Sequence, residues 1–351
     1  MKKIGLFAMA LVVMMSSCNS SSKKADGGVK LSGAGATFPA PFYSIVFKNY
    51  GIASTNEVTY GAVGSGGGIR SLKDKTVDFG ASDVFLSDDE AKEFGVPVVH
   101  IPTCMGAVVL SYNLKGINTL KLTSEVISEI YRGKITKWND AKIKALNPAV
   151  GLPDKAITPV YRSDGSGTTF VFSDYMSKTD EAWKADLGSG KSLKFTVGIA
   201  AKGNPGVAGV VSETDGAIGY IGSEYALAQN IPSAQIKNAA GKFIEATSSS
   251  ISAAASGDIP ADTRLMITNS AAADAYPIST FTWIIVYKEQ KYGDHSAAKA
   301  KALVSLLNYI ISKDGQAVAA KAHYAPLPAA AVEKTKANIE SITFDGKVLG
   351  K

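Results

Sequence analysis

Strand-like and helix-like patterns alternate along this chain. Short apolar runs recur at EVTYGAV (57–63), VDFGAS (77–82), AVVLSYN (107–113), ITPVYR (157–162), GAIGYI (216–221) and FTWIIVY (281–287). Each has the length of a strand, and the runs that are apolar on both faces predict buried strands. Segments with helical spacing lie between them. TSEVISEIYRGKITKW (123–138) opens on Thr and Ser and meets a stop signal at Gly133. HSAAKAKALVSLLNYIIS (295–312) carries apolar residues at helical intervals. The stretch 239–263, rich in Ser, Ala and Gly, predicts surface loop and a short helix. Such alternation predicts an α/β fold.

Three polar glycine loops lead towards helix-like segments: GAGATFPAPFYSIVF (33–47), GAVGSGGGIRSL (61–72) and RSDGSGTTFVFSDYM (162–176). A fourth segment, DFGASDVFLSDDE (78–90), ends a strand on Ser82 and Asp83. Its acidic cluster at 87–90 marks a helix start, with Asp88 better placed than Asp83 as the cap. Helix N-termini leave backbone N–H groups without partners and carry partial positive charge. Three of them converging, with hydroxyls beside them, would hold an anion without a metal.

Length and composition set the frame. The 351 residues suffice for about two domains, and 46% hydrophobic with 19% charged residues is a globular balance. The formal net charge is +6, or +4 without Lys2 and Lys3. That surplus gives no case for nucleic acid and suits a small anionic ligand. The opening MKKIGLFAMALVVMMSSC pairs two lysines with an apolar stretch and small residues before Cys18. It predicts a signal peptide over 1–17, too short for a transmembrane helix, which needs about 20 apolar residues. Met15-Ser16-Ser17-Cys18 resembles a bacterial lipobox, so Cys18 is expected to carry lipid. Residues 18–29 then form a polar, flexible tether. The other cysteine, Cys104, sits in an apolar run and predicts a buried core thiol without a disulfide partner.

Several chemistries fail on spacing. LGSGKS (187–192) mimics the end of a phosphate-binding P-loop, but Ala185 stands where the first glycine belongs, and a helix-like segment precedes it. A serine hydrolase needs a base, and His100, His295 and His323 sit in no motif. Val63 and Asp164 break the G-x-S-x-G pattern around Ser65 and Ser166. No metal-ligand spacing occurs, and GAGATF and GSGGGI lack the third glycine of a dinucleotide loop. In the remaining loop, Arg162 offers planar, bidentate hydrogen bonds that suit a tetrahedral oxyanion. Asp164 pairs with Arg162 and fixes its orientation. Gly165 and Gly167 let the backbone approach, while Ser166 and Thr168 each offer a hydroxyl and an N–H.

SGAGATFPAPFY, GAVGSGGGI, VDFGASD, YRGKITKWND, RSDGSGTTFVF and GAIGY occur in this order over roughly residues 29–324. Together they resemble the periplasmic phosphate-binding protein of the bacterial phosphate ABC importer, the PstS family. The resemblance implies a two-lobed periplasmic binding-protein fold (type II), with phosphate held dry between the lobes. It implies ligand roles for Thr37, Phe38 (through its backbone N–H), Ser65 and Asp83 from one lobe. From the other come Arg162, Ser166, Gly167 and Thr168, with Asp164 orienting the arginine. Many members carry two serines in the second loop, where this chain has Ser65 and Gly66. A buried carboxylate such as Asp83 would accept a hydrogen bond from a ligand that keeps a proton, as phosphate does, and would repel sulfate.

The expected organisation has lobe 1 from residues 30–110 plus 279–351, with lobe 2 inserted as 111–278. The expected function is capture of inorganic phosphate and its delivery to a membrane permease, by an exported monomer anchored through Cys18. No catalysis, metal or cofactor is expected. The alternatives left open are a phosphomonoester hydrolase, or a surface protein built on the same fold.

Overall fold

A computed structural model describes residues 28–349. The expected signal peptide, Cys18 and all of the tether before Gly28 lie outside the described residues. Strands Lys30–Gly35 (β1), Glu57–Ala62 (β2), Phe79–Ser82 (β3), Val98–Tyr112 (β4), Thr158–Arg162 (β5), Ile199–Ala201 (β6), Ala217–Gly222 (β7) and Ser279–Tyr287 (β8) form one sheet. Their order is β2-β1-β3-β8-β4-β7-β5-β6. Two groups of parallel strands, β2-β1-β3 and β7-β5-β6, are joined through the antiparallel pair β8 and β4.

The joint rests on β4. From Val98 to Ala107 it pairs with β8, and from Val108 to Tyr112 it pairs with β7. The hydrophobic pattern predicted a strand only from Ala107, because Pro102 and Gly106 interrupt the apolar run before it. Proline lacks the N–H a central strand needs, so it survives there at a bulge. The β4–β8 register shifts at that place: Thr282 faces Cys104 and Trp283 faces Pro102, leaving Thr103 between them. The Thr103 hydroxyl then donates to the Thr282 carbonyl at 3.2 Å.

Each strand group has its own aromatic core. Tyr43, Phe47, Tyr60 and Phe79 pack together in the first, with centroids 4.9 to 6.3 Å apart. Tyr131, Phe172, Trp183 and Tyr220 do so in the second, and Phe172 stacks on Tyr220 at 4.4 Å. Cys104 is buried and free, as the apolar run around it predicts.

Helices start where the glycine loops predict: Ala40–Ser54, Ser65–Lys73 and Gly167–Thr179. The acidic cluster also opens a helix, Asp88–Lys92, but its cap is Ser87 rather than Asp88. Ser87 and Glu90 form a reciprocal capping box there, which a Ser-x-x-Glu sequence favours over a lone aspartate. The Ser/Ala-rich stretch holds the short helix Ser248–Ala254. Helix Ala297–Ile311 buries Leu303, Leu306, Leu307 and Ile310 at helical spacing. None of the helices among the described residues is long and apolar enough to cross a membrane.

Candidate functional site

Strands β1, β2 and β3 end at Gly35, Ala62 and Ser82, while β5, β6 and β7 end at Arg162, Ala201 and Gly222. Ligands of open α/β sheets collect beyond the carboxyl ends of parallel strands. Here the loops from both groups run into one another, and the residues singled out by sequence meet there. Thr37, Phe38, Ser65, Asp83, Arg162, Ser166 and Thr168 are all buried.

The guanidinium of Arg162 is the centre of positive charge. Its Nε and Nη2 donate to the two oxygens of Asp164 at 2.8 and 2.5 Å. That bidentate pair fixes the plane of the group and leaves Nη1 directed to the Thr168 hydroxyl at 3.3 Å. With a side chain only 1% exposed, Arg162 cannot relax into water. Burial raises the pKa of Asp164, but the arginine outweighs this and holds the carboxyl below its ordinary value.

Asp83 lacks such a partner. Its Oδ2 accepts from Thr168 at 3.2 Å and its Oδ1 from Thr282 at 3.1 Å. Burial pushes its pKa up to about 7, against the pull of Arg162 and the two hydroxyls. The β4–β8 bulge sets this geometry, because the register shift follows directly on Thr282.

Ser65 and Gly167 close the gap between the strand groups. The Ser65 hydroxyl accepts from the Gly167 amide at 3.0 Å and from the Asp83 amide at 3.4 Å. Beside it, Gly66 N donates to Gly165 O at 2.9 Å. A side chain at 167 does not fit: its Cβ would lie 2.5 Å from Ser65 Oγ and 2.8 Å from Asp83 N. The Ser166 hydroxyl caps helix Gly167–Thr179, accepting from Thr169 N at 3.0 Å. Its proton stays free to donate elsewhere. Phe38 is held by its carbonyl, which accepts from Tyr324 at 2.5 Å.

Three residues join the site without a sequence motif. Asn204 donates through its amide N and its Nδ2 to the Thr37 hydroxyl at 3.0 and 2.9 Å, and through Nδ2 to Thr168 at 3.2 Å. Tyr225 donates to the Thr37 carbonyl. Thr282 reaches Asp83 from β8. A usable signal existed for Asn204 alone. It lies in GNPG after a strand-like run, and Gly203, at φ 70°, donates its N–H to Asp164 at 3.0 Å.

The three histidines stand elsewhere. His100 accepts from Leu86 N at 3.0 Å, and burial lowers its pKa to about 4. His295 lies against Asp78, and His323 sits in a turn at φ 66°. Among the described residues, no histidine or carboxylate is hydrogen-bonded to Ser166, whose hydroxyl meets only Thr169 N. The cluster therefore combines one buried cation, hydroxyl and amide donors, helix N-termini and a proton-accepting carboxylate. It can grip a small oxyanion that carries a proton.

A family model described as PBP superfamily domain matches residues 20–314. The phosphate-binding protein PstS of Xylella fastidiosa is 40% identical over 314 residues, which are 88% of this chain and 84% of that protein. The phosphate-binding protein PstS of Pasteurella multocida is 36% identical over 326 residues, 91% of this chain and 93% of its own. A high-affinity periplasmic phosphate-binding protein, solved with phosphate, superposes with a TM-score of 0.71. It is 21% identical and covers 88% of this chain and 93% of its own. The phosphate binding protein of Stenotrophomonas maltophilia gives 0.67 at 19% identity, with 88% and 94% covered. These likenesses establish the two-lobed α/β fold.

Proposed function

The chain belongs to the PstS family of phosphate-binding proteins, and on that premise we propose that it captures inorganic phosphate between its strand groups for an ABC-type import permease. Asp83 is the observation that carries the reading. A fully buried carboxylate beside an arginine already neutralised by Asp164 leaves room for one further kind of partner, a group that donates a proton. Phosphate donates through its remaining P–OH. Arg162 supplies charge to its oxygens, and Thr37, Ser65, Ser166 and Thr168 supply hydroxyls. The amides of Phe38 and Gly167 complete the grip.

Neither strand group holds all these donors, so binding closes the groups on each other. We place lobe 1 at 30–110 plus 279–351 and lobe 2 at 111–278. The joint at Ala107/Val108, where Val108 N also donates to Ile278 O at 2.9 Å, supports a hinge there. The protein acts as an exported monomer, lipid-anchored at Cys18 on the periplasmic side. Nothing in the site favours hydrolysis, since no histidine or second base reaches Ser166.

Replacing Arg162 by alanine tests the site. The expected loss is about 3–5 kcal/mol of phosphate affinity, because Asp83 and Asp164 then share a buried site without a cation. An affinity within a few-fold of the unaltered protein would displace the site from this cluster. Replacing Cys18 by serine should move the protein from the membrane fraction to the soluble one. Persistent membrane fractionation would refute the anchor.

A further inference from the structure

The GSGKS loop, too poorly spaced to bind a nucleotide, occupies a place that the anion cradle does not explain. It follows the helix Glu181–Asp186 and is fixed to the start of helix Gly167–Thr179. Lys191 O accepts from Ser166 N at 2.8 Å, and Gly190 N donates to Ser173 Oγ at 3.1 Å. The Lys191 backbone is thus bonded to a residue of the anion loop itself.

Its side chain points the other way. Lys191 Nζ crosses to the first strand group and pairs with Glu90 Oε1. Glu90 is itself held in place, since its Oε2 accepts from Ser87 N at 3.0 Å in the capping box. Ser87 stands four residues after Asp83, so both partners sit on short connections to ligand residues. The pair lines a cavity of about 460 Å³ together with Val84 and Phe85 from one group and Phe170 from the other. Lys191 and Glu90 are 19% and 39% exposed, at the outer edge of the seam. Burial raises the Glu90 carboxyl, but Lys191 and the capping amide outweigh it and hold it below the ordinary range.

We propose that Lys191 and Glu90 form an ion-pair clasp across the mouth of the cleft that sets how long bound phosphate is retained. The proposal rests on the phosphate-binding reading. The partners belong to opposite strand groups, so opening must separate them and closure must rejoin them. An interaction present only in the closed form shifts the closed–open balance. It slows release while leaving the encounter with the open form nearly unchanged. Because Lys191 is bonded to Ser166, the clasp also holds the donor loop against the anion.

Stopped-flow release of phosphate from the mature chain tests this with K191Q, E90Q and the double variant. Glutamine at 90 still fits the capping box, so E90Q removes the charge and spares the helix start. A partly exposed pair supports a change of about threefold to fivefold. Each single variant should release phosphate faster by that factor, with association within about twofold of the unaltered protein. The double variant should be no faster than either single one, because the pair is already broken. Added salt should speed release from the unaltered protein more than from the double variant. Unchanged release in both single variants, or effects that multiply in the double variant, would overturn the clasp and leave phosphate binding standing. Failure of the unaltered protein to bind phosphate would overturn both.

Discussion

Asp83 and Asp164 both feel the charge of the Arg162 guanidinium, Asp164 in direct contact and Asp83 through Thr168, and have opposite fates. Asp164 takes a bidentate pair of hydrogen bonds from Arg162 and a third from the Gly203 amide, and is held ionised. Asp83 takes hydroxyls only, and burial lifts it to about 7. The sign of the consequence is definite. A carboxyl whose pKa is raised on folding contributes stability that is complete below its unfolded value, about 3.9, and is lost as pH rises through the folded one. The same titration governs selectivity. Sulfate carries no proton, so it meets repulsion from ionised Asp83 and a hydrogen-bond donor when Asp83 is protonated. We expect sulfate affinity to rise as pH falls from about 8 to about 5.5, through the range where Asp83 titrates. In D83N that profile should flatten, with sulfate bound at both ends. A flat profile in the unaltered protein, measured by calorimetric titration, would contradict this role. Arg162, Asp164, Ser166, Gly167 and Thr168 stood out in the sequence because polar residues and glycines cluster ahead of a helix, whereas Thr37, Phe38, Ser65 and Asp83 were implied by the family resemblance. Tyr225 and Thr282 did not stand out, since each reaches the cluster only through packing between segments distant in sequence, whereas the GNPG turn around Asn204 was a signal passed over.

At the scale of elements, the site is made by strand ends and helix starts. Three helices, Ala40–Ser54, Ser65–Lys73 and Gly167–Thr179, begin at the cluster and place the positive ends of their dipoles there. Gly167 matters because the helix start must press against the opposite strand group. We expect Gly167→Ala to weaken phosphate binding by about 1–3 kcal/mol, as its Cβ meets Ser65 Oγ and the Asp83 backbone. Its melting temperature without phosphate should stay within a few degrees of the unaltered protein, because the crowding arises where the groups meet. Unchanged affinity would mean that the groups need not approach this closely. The strand pattern anticipated six of the eight sheet strands at least in part. It shortened β4 because Pro102 and Gly106 resemble an end, whereas the bulge makes room for both. It passed over β6 because Ile199–Ala201 is only three residues long and mostly exposed.

At the scale of the molecule, each group supplies half a clamp. Thr37, Phe38, Ser65 and Asp83 come from one side, and Arg162, Ser166, Gly167, Thr168 and Asn204 from the other. Bonds such as Gly167 to Ser65 and Asn204 to Thr37 cross between them. Such bonds form only when the groups meet, and we propose that ligand binding and closure are a single event. The fold class was legible from the alternation of strands and helices. The sharing of β4 between both groups was not, because partner choice along one strand leaves no periodic trace. We expect this closed, buried cluster to admit phosphate and refuse sulfate through one carboxylate, Asp83. Calorimetric titration of the protein with each anion at about pH 8, where Asp83 is mostly ionised, decides between the alternatives. Saturable heat is expected with phosphate and none with sulfate. Equal affinity for the two anions would contradict it.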